Sequence, residues 1–279
     1  MFTKHLILSI GCIATTCSLT TYSRAATMLD VGDITIVGLS TDGTDQFAFV
    51  TWVTLDASTD VQFTDYGWSP NDNSFTTGSS SDDSLTWSTN GSSVDAGTLV
   101  VITANGTSSS VTNGVGAVTA GGLGSFSSSG ESLFAYTGPE ASPSFIFGLY
   151  THQSTWDAPG NVTITDPTDS SLPSNPGNDL GVPGGNLIPV MGTNPNDNGL
   201  WDSDKDGAFA SLADAKAHAL NPANWVIENE DDGSGAFSDN LLTDLNVAAG
   251  GQFNLVPEPS TTLSFVFGIG ALCFSRRRK

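Results

Sequence analysis

An all-β sandwich with loop insertions and one short helix is the fold class this sequence predicts, and three observations predict it. Asp outnumbers Glu by 24 to 5 and glycine reaches 31. Short Asp side chains bond their own backbone and favour turns, whereas Glu favours helix. Short β-branched or aromatic runs recur through the first half, punctuated by Gly, Asn, Asp and Ser. A hydrophobic content of 38%, with 15 Phe and 6 Trp, is too apolar for a chain that stays disordered.

In chain order, the strand signals are Ile34 to Leu39, Phe47 to Leu55, Val61 to Thr64, Leu85 to Trp87, Leu99 to Thr103, Leu133 to Tyr136 and Phe145 to Tyr150. Phe47-Ala48-Phe49-Val50 is apolar on both sides and reads as a central strand, while Val61 and Phe63 alternate with Gln62 and Thr64 as a half-buried strand does. Seven short strands with turn punctuation make a sandwich. The Ser/Gly tracts Gly78 to Ser81 and Thr107 to Gly124 are expected as mobile loops. Thr151 to Asp206 reads as loop, with seven prolines from Pro159 to Pro195. The one helix is expected over Phe209 to Leu220. Phe209, Leu212, Ala213, Ala217 and Leu220 form its buried face, Ser211 with Asp214 its cap, and Asn221-Pro222 its end.

Both chain ends carry targeting signals. Met1 to Lys4, the apolar Leu6 to Leu19 and Ser23-Arg24-Ala25 form a secretory signal peptide over residues 1–26. At the other end, Val256-Pro257-Glu258-Pro259-Ser260 precedes an apolar run and then Arg276-Arg277-Arg278-Lys279. Thr261 to Ser275 is 15 uncharged residues, fewer than the ~20 of a spanning helix, so a membrane helix there borrows its flanks or thins the bilayer. The basic end stays cytoplasmic and the body outside the inner membrane. The hinge Pro257, Glu258, Pro259 with Arg276, Arg277 and Arg278 resembles the C-terminal signal of the PEP-CTERM family, exported proteins of Gram-negative bacteria. That resemblance implies an exosortase-type processing enzyme as partner, a transient inner-membrane anchor over 256–279, and association with exopolysaccharide at the cell surface or in the matrix.

The body between, 27–255, is read as a single domain. Gly32-Asp33-Ile34, Asp42-Gly43, Phe63-Thr64-Asp65, Gly67-Trp68 and Asn224-Trp225 resemble a β-sandwich module of exported bacterial surface proteins, with kinship to the immunoglobulin-like lamin-tail sandwich. The resemblance implies an Ig-like fold and no catalytic residues.

Cysteine and charge bound the chemistry. Cys12, Cys17 and Cys273 all lie in the targeting segments, so the body has neither thiol nor disulfide. Its 28 acids face only Lys205 and Lys216, a net charge of −26. Such a surface repels nucleic acid and anionic lipid and attracts cations.

Three motifs carry candidate chemistry. Asp202, Asp204 and Asp206 stand at positions 1, 3 and 5 of a loop with Gly207 at 6, the opening half of an EF-hand-like calcium site to which Asp197 is a further candidate ligand. Position 12 is Ala213 in place of a bidentate acid. Trp68, Trp156 and Trp201 sit in polar loops, where an indole either stacks on a sugar or plugs an open end of the sandwich. His152 and His218 are the body's two histidines; His218 is expected on the exposed side of the helix, and no nucleophile elbow or H-E-x-x-H pattern accompanies either. These features leave a non-catalytic surface or matrix protein as the leading reading. A calcium-assisted carbohydrate-binding module comes next, and a secreted hydrolase third.

Overall fold

The structure is a computed structural model that describes residues 25–41, 44–76, 83–126, 132–151, 198–202, 209–228 and 245. All but the last two residues of the expected signal peptide, the Ser/Gly tract 78–81 and the C-terminal tail lie outside these residues. Strand β1 (Ile34–Ser40) turns into β2 (Gln46–Thr51), after which the chain crosses to a second sheet with β3 (Asp60–Thr64). A small hairpin, β4 (Trp68–Ser69) and β5 (Ser74–Phe75), precedes β6 (Ser84–Ser88). Strands β7 (Thr98–Thr103) and β8 (Ser110–Val111) return to the first sheet. Then β9 (Ala117–Gly121), β10 (Ser132–Thr137) and β11 (Ser144–Tyr150) complete the second. Finally β12 (Asn198–Trp201), α1 (Leu212–Ala219) and β13 (Trp225–Glu228) finish the first.

The first sheet runs β13-β12-β1-β2-β7-β8 and the second β11-β10-β3-β6-β9. All pairings are antiparallel. The alternation of β2 decides how they meet: Phe47 and Phe49 point at Phe63 of β3, with ring centroids 4.9 and 4.8 Å away, and Phe49 meets Trp87 of β6 edge-on at 5.2 Å. Ala48 and Val50 point the opposite way and are also fully buried, so both faces of this central strand are covered. The register Ile36↔Phe49↔Val100 carries the same inner face across three strands.

The outer face of the second sheet is covered too. Phe134 and Tyr136 of β10 pair with Thr64 and Gln62, on the side away from Phe63. The β4–β5 hairpin folds over them: Trp68 meets Phe145 at 4.8 Å and Phe75 at 5.1 Å, and Phe75 meets Tyr136 at 5.3 Å. Five aromatic side chains, Trp68, Phe75, Phe134, Tyr136 and Phe145, thus make a satellite core.

The segment ahead of β1 is tied in through Thr27, whose amide donates to Thr59 Oγ1 at 3.0 Å while its hydroxyl accepts from the Asp56 amide at 2.7 Å.

All seven expected strands are present, as an all-β sandwich, and four expectations need correction. The run from Phe47 does not continue to Leu55: β2 ends at Thr51, and Leu55 instead forms an isolated bridge with Val94. The 107–124 tract is not loop throughout, since it contains β8 and β9. Small side chains hid them, and the same smallness lets backbones touch: Gly122 donates to the Ser84 carbonyl at 3.0 Å and Gly106 to the Leu123 carbonyl at 2.6 Å. Within 151–206, Asn198-Gly199-Leu200-Trp201 is a strand whose Asn-Gly start reads as turn in sequence; it pairs with β1 and β13.

Helix α1 begins later than expected. Ser211 caps it, accepting from the Asp214 amide at 3.1 Å and donating to Asp214 Oδ2 at 3.0 Å, so Phe209 lies ahead of the helix although it is still buried. The buried face is Ala215 and Ala219, with Ala213 and Ala217 exposed. Two alanines four residues apart let the helix axis come close to the strands, and that selects the face.

Two predictions follow from this packing. A Cβ on Gly122 would fall on the Gly106 carbonyl, which is backbone. No rotamer relieves that overlap, so Gly122→Ala is expected to cost about 1–3 kcal/mol, a drop in Tm of about 2–4 °C per kcal/mol at this chain length. Gly114→Ala, where nothing lies within 4 Å, isolates the cost of a positive φ alone (+75°). Thermal unfolding by circular dichroism checks both; equal Tm values for the two variants would contradict the close approach at Gly122.

Burial, then the nearby Glu140 and Tyr66, push the Tyr136 phenol up to about 12 from 10.0. The folded state therefore keeps a proton that the unfolded chain releases. The stabilisation is complete below pH ~10 and is lost between ~10 and ~12 as the unfolded phenol ionises first. Alkaline titration followed by tyrosinate absorbance should show a late-ionising phenol that Tyr136→Phe removes. A titration unchanged by that substitution would contradict the burial.

Candidate functional site

Of the residues that sequence singled out, the structure places four: Trp68, Trp201, His218 and Asp202. Trp68 is 1% exposed and Trp201 0%. Trp68 plugs the satellite core, and Trp201 stacks on Phe209 at 5.7 Å, meets Trp52 edge-on at 6.3 Å and donates from Nε1 to His218 Nδ1 at 2.8 Å. Neither indole offers a face to a ligand in this fold. Their polar neighbours in sequence suggested loops, but each sits in a short strand that the surrounding Gly, Ser and Asn disguise. His218 is likewise not on an exposed side: its ring lies 5.2 Å from Phe209, and its bond with Trp201 docks α1 on β12. The Trp225 indole donates to the Ala219 carbonyl at 2.8 Å and Asn224 to the His218 carbonyl at 3.1 Å, satisfying carbonyls that the helix end leaves open.

Asp202 follows β12 directly, half-buried, with its amide bonded to the Asn224 carbonyl at 2.8 Å. Asp197, Asp204 and Asp206 lie outside the described residues, as do Trp156, His152 and the sorting residues Pro257, Glu258, Pro259, Arg276, Arg277 and Arg278. Helix α1 does start where the exiting helix of a calcium loop should. The closing ligand does not fit: Ala213 is exposed and carries no side-chain oxygen, and the Asp214 carboxylate beside it is bonded to the Ser211 cap. Among the described residues, no three His, Cys, Asp or Glu side chains converge on one point. The described residues at positions 12 and 13 of the expected loop therefore supply no bidentate closure.

The fold creates one feature that sequence reasoning missed. Where β2 begins and β7 ends, a cleft of about 280 Å³ is lined by Thr44, Asp45, Thr103, Ala104, Asn105 and Ser125. Asp45 is fixed at both ends of the residue, its carbonyl accepting from the Ala104 amide at 2.8 Å and its Oδ2 from the Phe126 amide at 2.9 Å. Phe126 in turn packs on Phe47 at 6.4 Å, so the cleft is tied to the main core. Thr103 Oγ1 accepts from Gln46 Nε2 at 3.2 Å and is hydrogen-bonded to Thr112 Oγ1 at 2.8 Å. The Asn105 amide donates to Ser109 Oγ at 3.1 Å. One sequence signal did mark the region: between Asp95 and Glu131 lie 35 residues without a charge, in a chain with 29 acids.

No helix among the described residues is long and apolar enough to cross a membrane, and the expected tail helix lies outside them. No curated protein and no solved structure matches the chain. The Ig-like kinship expected from sequence accordingly gains no support beyond the sandwich itself. The C-terminal match covers residues 255–279 and supports sorting by exosortase, with export and membrane-anchored processing before surface localisation. What the chain carries, behind a predominantly β-sheet body, is the PEP-CTERM protein-sorting motif.

Proposed function

We propose that this is a non-catalytic protein of the cell surface or extracellular matrix, exported by its signal peptide, held briefly in the inner membrane by its tail, and associated after processing with exopolysaccharide. The observation that carries the reading is the sorting motif at 255–279. The body's chemistry agrees with it. A sandwich with its large aromatics packed into two cores, and with one of its two histidines bonded to a buried tryptophan, is built for persistence more than for turnover. With 28 acids against two lysines, contact with a polymer runs through uncharged sugars or through divalent bridges, because an acidic polymer is repelled. Trp156 is the remaining candidate for stacking on a sugar.

Exported protein should end near Pro257 and lack Arg276 to Lys279, since a short, weak membrane segment serves to present the hinge to a processing enzyme. Intact-mass and C-terminal peptide analysis of surface material checks this; an unprocessed Lys279 terminus there would overturn the sorting half of the proposal.

Calcium assistance is the second reading, favoured by the loop spacing of Asp202, Asp204 and Asp206 and by the position of α1 behind it. Ligand binding to the native state alone adds RT ln(1 + [L]/Kd), about 2.7 kcal/mol at a hundredfold excess over Kd. Millimolar calcium should therefore raise the Tm of the exported protein, and Asp202→Ala with Asp204→Ala should remove the rise. Identical melting curves in calcium and in chelator would leave the loop as an acidic turn.

A further inference from the structure

We infer that the cleft at the β2–β7 end of the sandwich is a binding subsite for one unit of a neutral polyhydroxylated ligand, a hexose of an uncharged glycan. This rests on the polysaccharide reading above and names the place where contact is made.

The lining selects the ligand class. Five of its six residues present polar side chains: the hydroxyls of Thr44, Thr103 and Ser125, the carboxamide of Asn105 and the carboxylate of Asp45. Hydroxyls and a carboxamide both donate and accept, and a carboxylate accepts, which is the mixed hydrogen bonding that a ring of sugar hydroxyls needs. The single methyl wall, Ala104, gives an apolar ligand little to bury. An anionic ligand would meet the Asp45 carboxylate with no Lys or Arg in the lining to offset it. A calcium ion takes six to eight oxygens, and the one carboxylate here already spends Oδ2 on the Phe126 amide. The volume, about 280 Å³, lies just below the range of drug-sized pockets and suits one small unit.

Two further observations agree. The walls are fixed before any ligand arrives: Asp45 is held through its carbonyl and its carboxylate, and Ser109, which accepts from the Asn105 amide, is itself bonded to the Gly106 carbonyl at 2.7 Å and the Leu123 carbonyl at 3.3 Å. Fixed walls lower the ordering cost of binding. Four of the six lining residues also belong to the uncharged stretch from 96 to 130. In a body of net charge −26, a neutral tract beside a polar cleft is where an uncharged chain of sugars can lie against the protein without displacing counterions.

The test uses saturation-transfer NMR on the exported protein with cellohexaose, maltohexaose and laminarihexaose, and an oligogalacturonate as the acidic comparison. The expected result is binding of at least one neutral oligosaccharide, not of the acidic one, unaffected by chelator. Asn105→Ala combined with Ser125→Ala should weaken it about tenfold, equivalent to ~1.4 kcal/mol. Ser125→Trp, which fills the cleft, should abolish it. Asn105 and Ser125 are exposed, so unchanged Tm values are expected for all variants. Binding that survives Ser125→Trp at full strength overturns the assignment of the cleft and leaves the polysaccharide reading intact. Absence of binding to all three neutral oligosaccharides overturns the assignment of the cleft together with the uncharged-sugar half of the polysaccharide reading, and leaves divalent bridges as its remaining route.

Discussion

The contact on which the rest of this structure depends is Phe63 between Phe47 and Phe49. A body without cysteine has no covalent staple, so its two sheets are held by what they bury. Each fully buried Phe is worth roughly 1.5–3 kcal/mol in removal from water, and each well-oriented ring pair adds roughly 0.5–1.5. The geometry of that contact also fixes register, because sliding β2 by one residue would exchange Phe47 and Phe49 for Ala48 and Val50 on the inner face. With the inner face committed, the outer face of β10 needs its own cover, which the β4–β5 hairpin supplies through Trp68 and Phe75.

Charge is arranged around this apolar interior with little neutralisation. The acids are mainly aspartates, the residue that also makes the turns, so connecting strands and acquiring negative charge are one compositional choice. The long uncharged stretch through β7, β8 and β9 departs from it. There turns are made with Gly, Ser and Asn, and both sheets end, at β8 and at β9, on the same flank.

Sequence pattern identified the longer strands rich in large side chains, because burial of Phe, Val and Ile leaves a period that can be counted, and it passed over the short strands β4, β5 and β13. It lost β9, whose Ala-Val-Thr-Ala-Gly gains its place by backbone proximity, and β12, whose Asn-Gly opening imitates a turn. The helix was legible through its Ser211 cap, and its face only in part: Phe209 is buried against Trp201 as expected, but from just ahead of the helix, whereas Ala213 and Ala217 are exposed and Ala215, Ala219 and His218 face inward in their place. The tryptophans show the same limit. An indole among polar residues reads as exposed until the partner strand is known, and for Trp68 and Trp201 that partner is set by pairings no local window contains. The cleft was invisible for a simpler reason, since Asp45, Asn105 and Ser125 meet only after β2 and β7 are paired. The sorting tail was fully legible because its information lies in the linear order of residues.

The pairing of β1 with β12 has a consequence for how such a chain matures. Leu39 sits opposite Gly199, and the Thr41 amide donates to Asn198 Oδ1 at 2.7 Å, so one edge of an early strand is completed by residues about 160 positions later. Contacts of such separation are the slow part of β-sheet folding. In a chain exported N-terminus first, β1 and β2 emerge well before β12 follows, and until then β1 presents an open row of amides and carbonyls that any extended chain can copy. The like charge of the aspartates opposes the approach of neighbouring copies during that interval. The acidity of this protein thus acts on its history of folding as well as on its choice of partners.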